Sequence, residues 1–152
     1  VDGAVCKSPR GLKPRGCDNR VQPDLQIARP IQEQPVPTNA ENYYQNNAAA
    51  MKPAKAAVPD LVKGFAALHQ AAMKPGVLSV LEKELIALGI GLAIRCENCI
   101  YSHTAAAVRA GATREQVLEA AGVAVMMQGG PSYTYLPRVT EALDALEKPA
   151  AV

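Results

Sequence analysis

The stretch LIALGIGLAI, residues 85–94, constrains the fold more than any other part of the chain: it holds ten consecutive apolar or glycine residues and no charge. A helix needs roughly twenty such residues to cross a bilayer. A run half that long belongs inside protein. Just upstream, Ser79 is followed three positions later by Glu82, a pair that caps a helix start from both directions. The helix that opens there turns apolar on nearly every side after Glu84 and has to be covered all round.

Other segments repeat the helical period and carry their own punctuation. PDLVKGFAALHQAAMK opens on Pro59, suited to a first helical position, and lines up Leu61, Val62, Phe65 and Leu68 before Pro75 and Gly76 end it. A further helix is expected from about Asn98 to Ala110, with Gly111 as its stop. Thr113 and Gln116 cap the next, which Gly129, Gly130 and Pro131 terminate. The last is expected from about Ser132 to Leu146, with Leu136, Val139, Leu143 and Leu146 on one stripe and Tyr133 and Tyr135 packed into the core, a place lining the site or an oligomer seam being their alternative. His69 has no partner that the sequence reveals. No alternating strand pattern or hairpin turn is present, so the fold class is all-α, a compact domain of about five helices. A single helix over 79–110 would be unusually long, which places a break near Cys96, although neither Gly nor Pro marks it. The helices over 79–94 and 113–128 are too apolar for one small domain to hide, so a homo-oligomer is expected.

Residues 1–50 contrast with this. They hold six prolines, many Asn, Gln and Arg, and no sustained apolar period, so they cannot bury enough surface to offset their ordering entropy. The expectation is a disordered tail over 1–50 and a helical domain over 51–152, with Met51 as a candidate natural start. The basic opening KSPRGLKPRGCDNR reads as a solvated tail, with a weak anionic contact or a targeting role as the alternative.

Sixteen basic and fourteen acidic residues leave a formal net charge of +2, which gives no electrostatic case for nucleic acid or a membrane surface as partner. The four cysteines, Cys6, Cys17, Cys96 and Cys99, come without an apolar secretory stretch. A cytoplasmic location is therefore expected, where a close cysteine pair is more often catalytic or metal-binding than structural.

The densest chemistry is CENCIYSH, residues 96–103. With Cys99 on a helix, His103 lies four positions on and over the same face, a base beside a thiol. Cys96 falls at or before the first turn, where free N–H groups and the helix dipole favour a thiolate. Cβ atoms three apart on a regular helix lie about 5–6 Å apart, against about 3.8 Å in a disulfide, so the pair closes only if that turn yields. Zinc is the main rival, but Cys, Cys and His make three ligands where structural zinc takes four. Two buried cysteines beside a satisfied histidine is the plainest alternative. Haem attachment is excluded, because Ile100 stands where it needs a histidine. Glu84 enters the buried part of its helix; a carboxylate there wants a partner, and across an antiparallel pair that partner is His103. Its alternative is an exposed place in the first turns.

Glu84, eleven residues, then Cys96-x-x-Cys99-x-x-x-His103, with the AGATREQV helix start in register, resembles the active-site signature of the AhpD-like alkylhydroperoxidases of the carboxymuconolactone decarboxylase superfamily. The resemblance covers most of Met51 to Leu146. It implies an all-helical fold, trimers or hexamers, and thiol-dependent reduction of organic hydroperoxides without a bound cofactor. Glu84 and His103 would form a proton relay, and Cys96 and Cys99 a redox pair recycled by an external dithiol or lipoyl-type reductant. One departure is Asn98, where the archetypal peroxidase has a histidine between its cysteines. The same fold without peroxidase turnover would be a disulfide oxidoreductase or redox sensor.

Overall fold

The computed structural model describes residues 37–148. Those residues form seven helices and no strand: α1 Asn39–Ala57, α2 Pro59–Met73, α3 Val80–Ala93, α4 Glu97–Arg109, α5 Arg114–Gln128, α6 Gly130–Tyr133 and α7 Leu136–Glu147. None is long and apolar enough to cross a membrane.

The caps read from sequence do their expected work. Ser79 and Glu82 close a reciprocal capping box on α3, and Thr113 with Gln116 does the same on α5. Gly111 and Gly129 both take the positive φ that lets the chain leave a helix without a Cβ clash. α3, α4, α5 and α7 build the core, with Leu88, Leu92, Ile100, Ala107, Val117, Ala121, Val139 and Ala142 completely buried. α3 lies between α4 and α5, while α7 closes against α4 and α5. Arg114, at the start of α5, ties that end to α7 through Asp144 at 2.7 Å and Glu147 at 3.0 Å.

Two expectations are corrected. The boundary at Met51 falls inside α1, so residues 39–50 are helical and not a disordered tail; residues 1–36 lie outside the described residues. Thr38 and Glu41 form a capping box, Ala40 is fully buried, and its N–H donates to Glu141 at 3.1 Å. Tyr43 and Tyr44 pack against Tyr101 with ring centroids 5.6 and 6.4 Å away, and the Tyr44 hydroxyl donates to the Tyr101 carbonyl at 3.0 Å. These contacts supply what an apolar period would have supplied. The final helix is also split. Pro137 has no N–H to give and its ring crowds the carbonyl four residues back, so the chain turns over Thr134 and Tyr135 between α6 and α7. That turn leaves Tyr133 exposed, whereas Tyr135 packs against the core as expected.

α2 stands apart in its burial. It has no buried residue, and Leu61, Phe65 and Leu68 on its apolar face are 70%, 67% and 65% exposed. His69 is exposed on the same helix. The C-terminal end of α2 is held by Lys83, whose ammonium donates to the carbonyls of Ala72 at 2.8 Å and Lys74 at 2.7 Å. A second apolar surface lies between α3 and α5, a groove of about 430 Å³ that includes Ile86, Gly89, Ile90, Val123 and Met127.

A chain beginning at Met51 loses the α1 cap and the tyrosine cluster, and it is expected to melt at a lower temperature than the full chain. Within the full chain, Thr38→Ala and Tyr44→Phe are each expected to cost about 1 kcal/mol in denaturant unfolding. Glu41 adds a pH dependence, because hydrogen bonds from Lys148 and then Thr38 hold its carboxyl below the usual range. Its contribution is present above the unfolded value and disappears as the pH falls through the folded one. A truncated chain that melts with the full one would show that the α1 packing contributes nothing.

Candidate active site

The joint between α3 and α4 is three residues long, Ile94 to Cys96, and it places all the candidate groups. Cys96 N–H donates to the Gly91 carbonyl at 3.0 Å and Arg95 N–H to the Leu92 carbonyl at 3.1 Å, the paired bonds that end a helix in a Schellman motif. The left-handed residue that this ending requires is normally glycine; here it is Arg95, at φ 58°. The next residue, Cys96, is already the N-cap of α4, and its Sγ accepts the Cys99 N–H at 3.3 Å. The break expected near Cys96 is therefore present, made by an arginine in a glycine's conformation.

With Cys96 outside the regular helix, its side chain swings toward Cys99. The two are joined by a disulfide, with Cα atoms 5.2 Å apart, and both residues are half-buried. α3 and α4 pack closely at this point: a Cβ on Gly91 would lie 3.1 Å from the Cβ of Cys99. A side chain at this point of α3 would require Cys99 to give way by a few tenths of an ångström, so glycine suits the close approach.

The same closeness brings Glu84 to His103. Glu84 is 6% exposed on α3, and its Oε2 lies 2.7 Å from Nδ1 of His103, whose side chain is 23% exposed on α4. The alternative that left Glu84 exposed in the first turns does not hold. A carboxylate can only accept, so in the neutral imidazole this contact puts the proton on Nδ1 and leaves Nε2 its lone pair, the form of a base oriented by a third group. Glu84, Cys96, Cys99 and His103 thus lie on the facing sides and shared joint of two adjoining helices. Among the described residues, no group of three or more His, Cys, Asp or Glu side chains is arranged to hold a metal ion.

Sequence reasoning missed the support on the other side of α4. Glu97, the first residue between the cysteines, accepts from Arg138 Nε at 3.1 Å and from the Tyr101 hydroxyl at 3.4 Å. Arg138 also donates to Glu141 at 2.9 Å. Burial, and then the charges of Glu141 and Glu97, push the Tyr101 hydroxyl up to about 12. No spacing rule links positions 97 and 138, which meet only because α4 packs on α7.

Comparison with known proteins identifies the family. Residues 59–147 match the sequence model of the carboxymuconolactone decarboxylase family. An uncharacterised protein of Cupriavidus necator is 36% identical over 90 residues, which span 59% of this chain and 80% of the relative. Among solved structures, a carboxymuconolactone decarboxylase family protein from Legionella pneumophila is 38% identical with a TM-score of 0.63, covering 72% of this chain and 95% of that one. A Thermotoga maritima family protein, for which an involvement in antioxidative response has been suggested, is 34% identical with a TM-score of 0.53, covering 56% and 88%. The matched segment runs through both helices that carry Glu84, the cysteine pair and His103, and this chain belongs to the carboxymuconolactone decarboxylase family.

Proposed function

We propose that this protein is a thiol-dependent peroxidase that reduces organic hydroperoxides through Cys96 and Cys99, with Glu84 and His103 as a proton relay. The observation that carries the reading is the 2.7 Å Glu84–His103 bond one helical turn from a cysteine pair able to close. The suggested antioxidative involvement of the Thermotoga relative points the same way.

In the reduced protein Nε2 of His103 takes the Cys99 proton, and the thiolate attacks the distal oxygen of the hydroperoxide. The O–O bond breaks, the alkoxide leaves as the alcohol with a proton from the imidazolium, and Cys99 becomes a sulfenic acid. Cys96 attacks that sulfur; the disulfide forms and water departs with the two remaining protons. An external dithiol, of protein or lipoyl type, then attacks Sγ of Cys99. Cys96 leaves as a thiolate into the Cys99 N–H that its sulfur already accepts. The reductant's second thiol releases Cys99 and carries away the disulfide. These steps need no bound cofactor. A cytoplasmic location fits the need for a dithiol pool. Asn98, exposed between the cysteines, favours the second reading, a disulfide oxidoreductase or redox sensor that turns over little peroxide.

The subunits associate in this proposal, as a trimer or hexamer. The exposed Leu61, Phe65 and Leu68 and the apolar groove between α3 and α5 support it, being more apolar surface than a small monomer normally leaves in water.

After one equivalent of an organic hydroperoxide, Cys96→Ser is expected to accumulate sulfenic acid at Cys99, trapped by dimedone, while Cys99→Ser accumulates far less. Equal trapping in both variants would remove the assignment of attack to Cys99, and no peroxide consumption by the wild type with excess dithiol would leave only the sensor reading. Light scattering is expected to give three or six times the chain mass, with Phe65→Asp shifting it downward. A monomer at micromolar concentration would contradict the association.

A further inference from the structure

We propose that Arg138 is a positioning residue of the cysteine pair: by pinning and neutralising Glu97, it keeps the start of α4 able to hold Cys96 as a thiolate. The idea deepens the peroxidase reading, since that thiolate is the leaving group when the disulfide is reduced. Glu97 is the residue immediately after Cys96 and the first of α4. A carboxylate there suits the helix dipole, but it also opposes a second negative charge on the neighbouring sulfur. Arg138 reaches in from α7 and donates to Glu97 at 3.1 Å while holding Glu141 at 2.9 Å. Glu141 in turn accepts the Ala40 N–H, so the same guanidinium is tied through it to the first turn of α1.

The other charged groups near the pair do not perform this task. From α3, Glu84 is engaged by His103, Glu82 by Ser79 and Lys83 by the end of α2. On α4 itself, His103 faces Glu84, and Arg95 precedes Cys96 at the joint, where it makes no ion pair among the described residues. α1 brings asparagines to the groove beside Glu97, Asn42, Asn46 and Asn47 among them, and no charge. α5 buries Val117, Ala121 and Ala124 and no ionisable group. Arg138 is thus the cation in hydrogen-bond contact with the acid that sits between the cysteines.

The test is the pH dependence of alkylation in the fully reduced, full-length protein, with Cys96 and Cys99 resolved by peptide mass spectrometry. Arg138→Met is expected to raise the Cys96 thiol pKa by about half a pH unit, roughly threefold in alkylation rate below the pKa. Glu97→Gln should lower it, Arg138→Lys should stay near wild type, and Arg138→Met with Glu97→Gln should return close to it. An unmoved Cys96 profile in Arg138→Met overturns the proposal. So does a shift that Glu97→Gln fails to reverse, because that marks displaced structure and not uncompensated charge. If Arg138→Met does not fold, Glu97→Gln alone decides, and an unchanged profile in it overturns the proposal. Alkylation requires neither peroxide nor turnover, so a protein without peroxidase activity still answers this question.

Discussion

The hydrogen bond between Glu84 and His103 is the interaction on which the rest of the arrangement turns. It joins a carboxylate that α3 has carried out of water to an imidazole on α4, and a carboxylate so placed is costly unless it is met. The meeting depends on how near the two helices come. Gly91 removes the side chain that would hold α4 away at Cys99, and the three-residue joint leaves no slack for the helices to separate. The close approach of α3 and α4 thus places the Glu84–His103 pair and the cysteine pair on the same two helices.

Much of this was legible in the sequence because it is written in local rules. Ser79, Thr113, Gly111 and Gly129 mark helix ends through bonds within a few positions, and the spacing of Cys99 to His103 fixes a shared face whatever the remainder of the fold does. Placing Glu84 opposite His103 needed only the assumption that consecutive helices pack antiparallel. The break at Cys96 was inferred from length, and its device stayed hidden. Arg95 adopts a backbone conformation that sequence reading assigns to glycine, and it does so where the next helix begins at once.

α1 was not legible from period. Its sequence is rich in Asn and Ala, interrupted by Pro53, and it buries only Ala40 completely. Its order comes instead from tertiary groups far along the chain, Glu141, Lys148 and Tyr101. The one local signal was Thr38 with Glu41, a capping pair lying in a stretch whose composition argued for disorder. The support of Glu97 by Arg138 is of the same kind, a pairing that only the docked helices create. In both cases polar contacts at long sequence separation decide the outcome, and neither composition nor periodicity registers them. α2 presents the converse, an apolar face plain in the sequence that the described residues leave exposed.

In the proposed reaction Glu84, acting through His103, drives the chemistry of the cysteine pair. The most direct measurement is the rate at which one equivalent of an organic hydroperoxide converts reduced Cys96 and Cys99 into the disulfide, in the wild type and in Glu84→Gln. The bridge is expected to close in the wild type and to close on the order of a hundredfold or more slowly in the variant, the usual scale for losing general-base assistance. Equal rates, or a wild type whose two thiols persist, would contradict it.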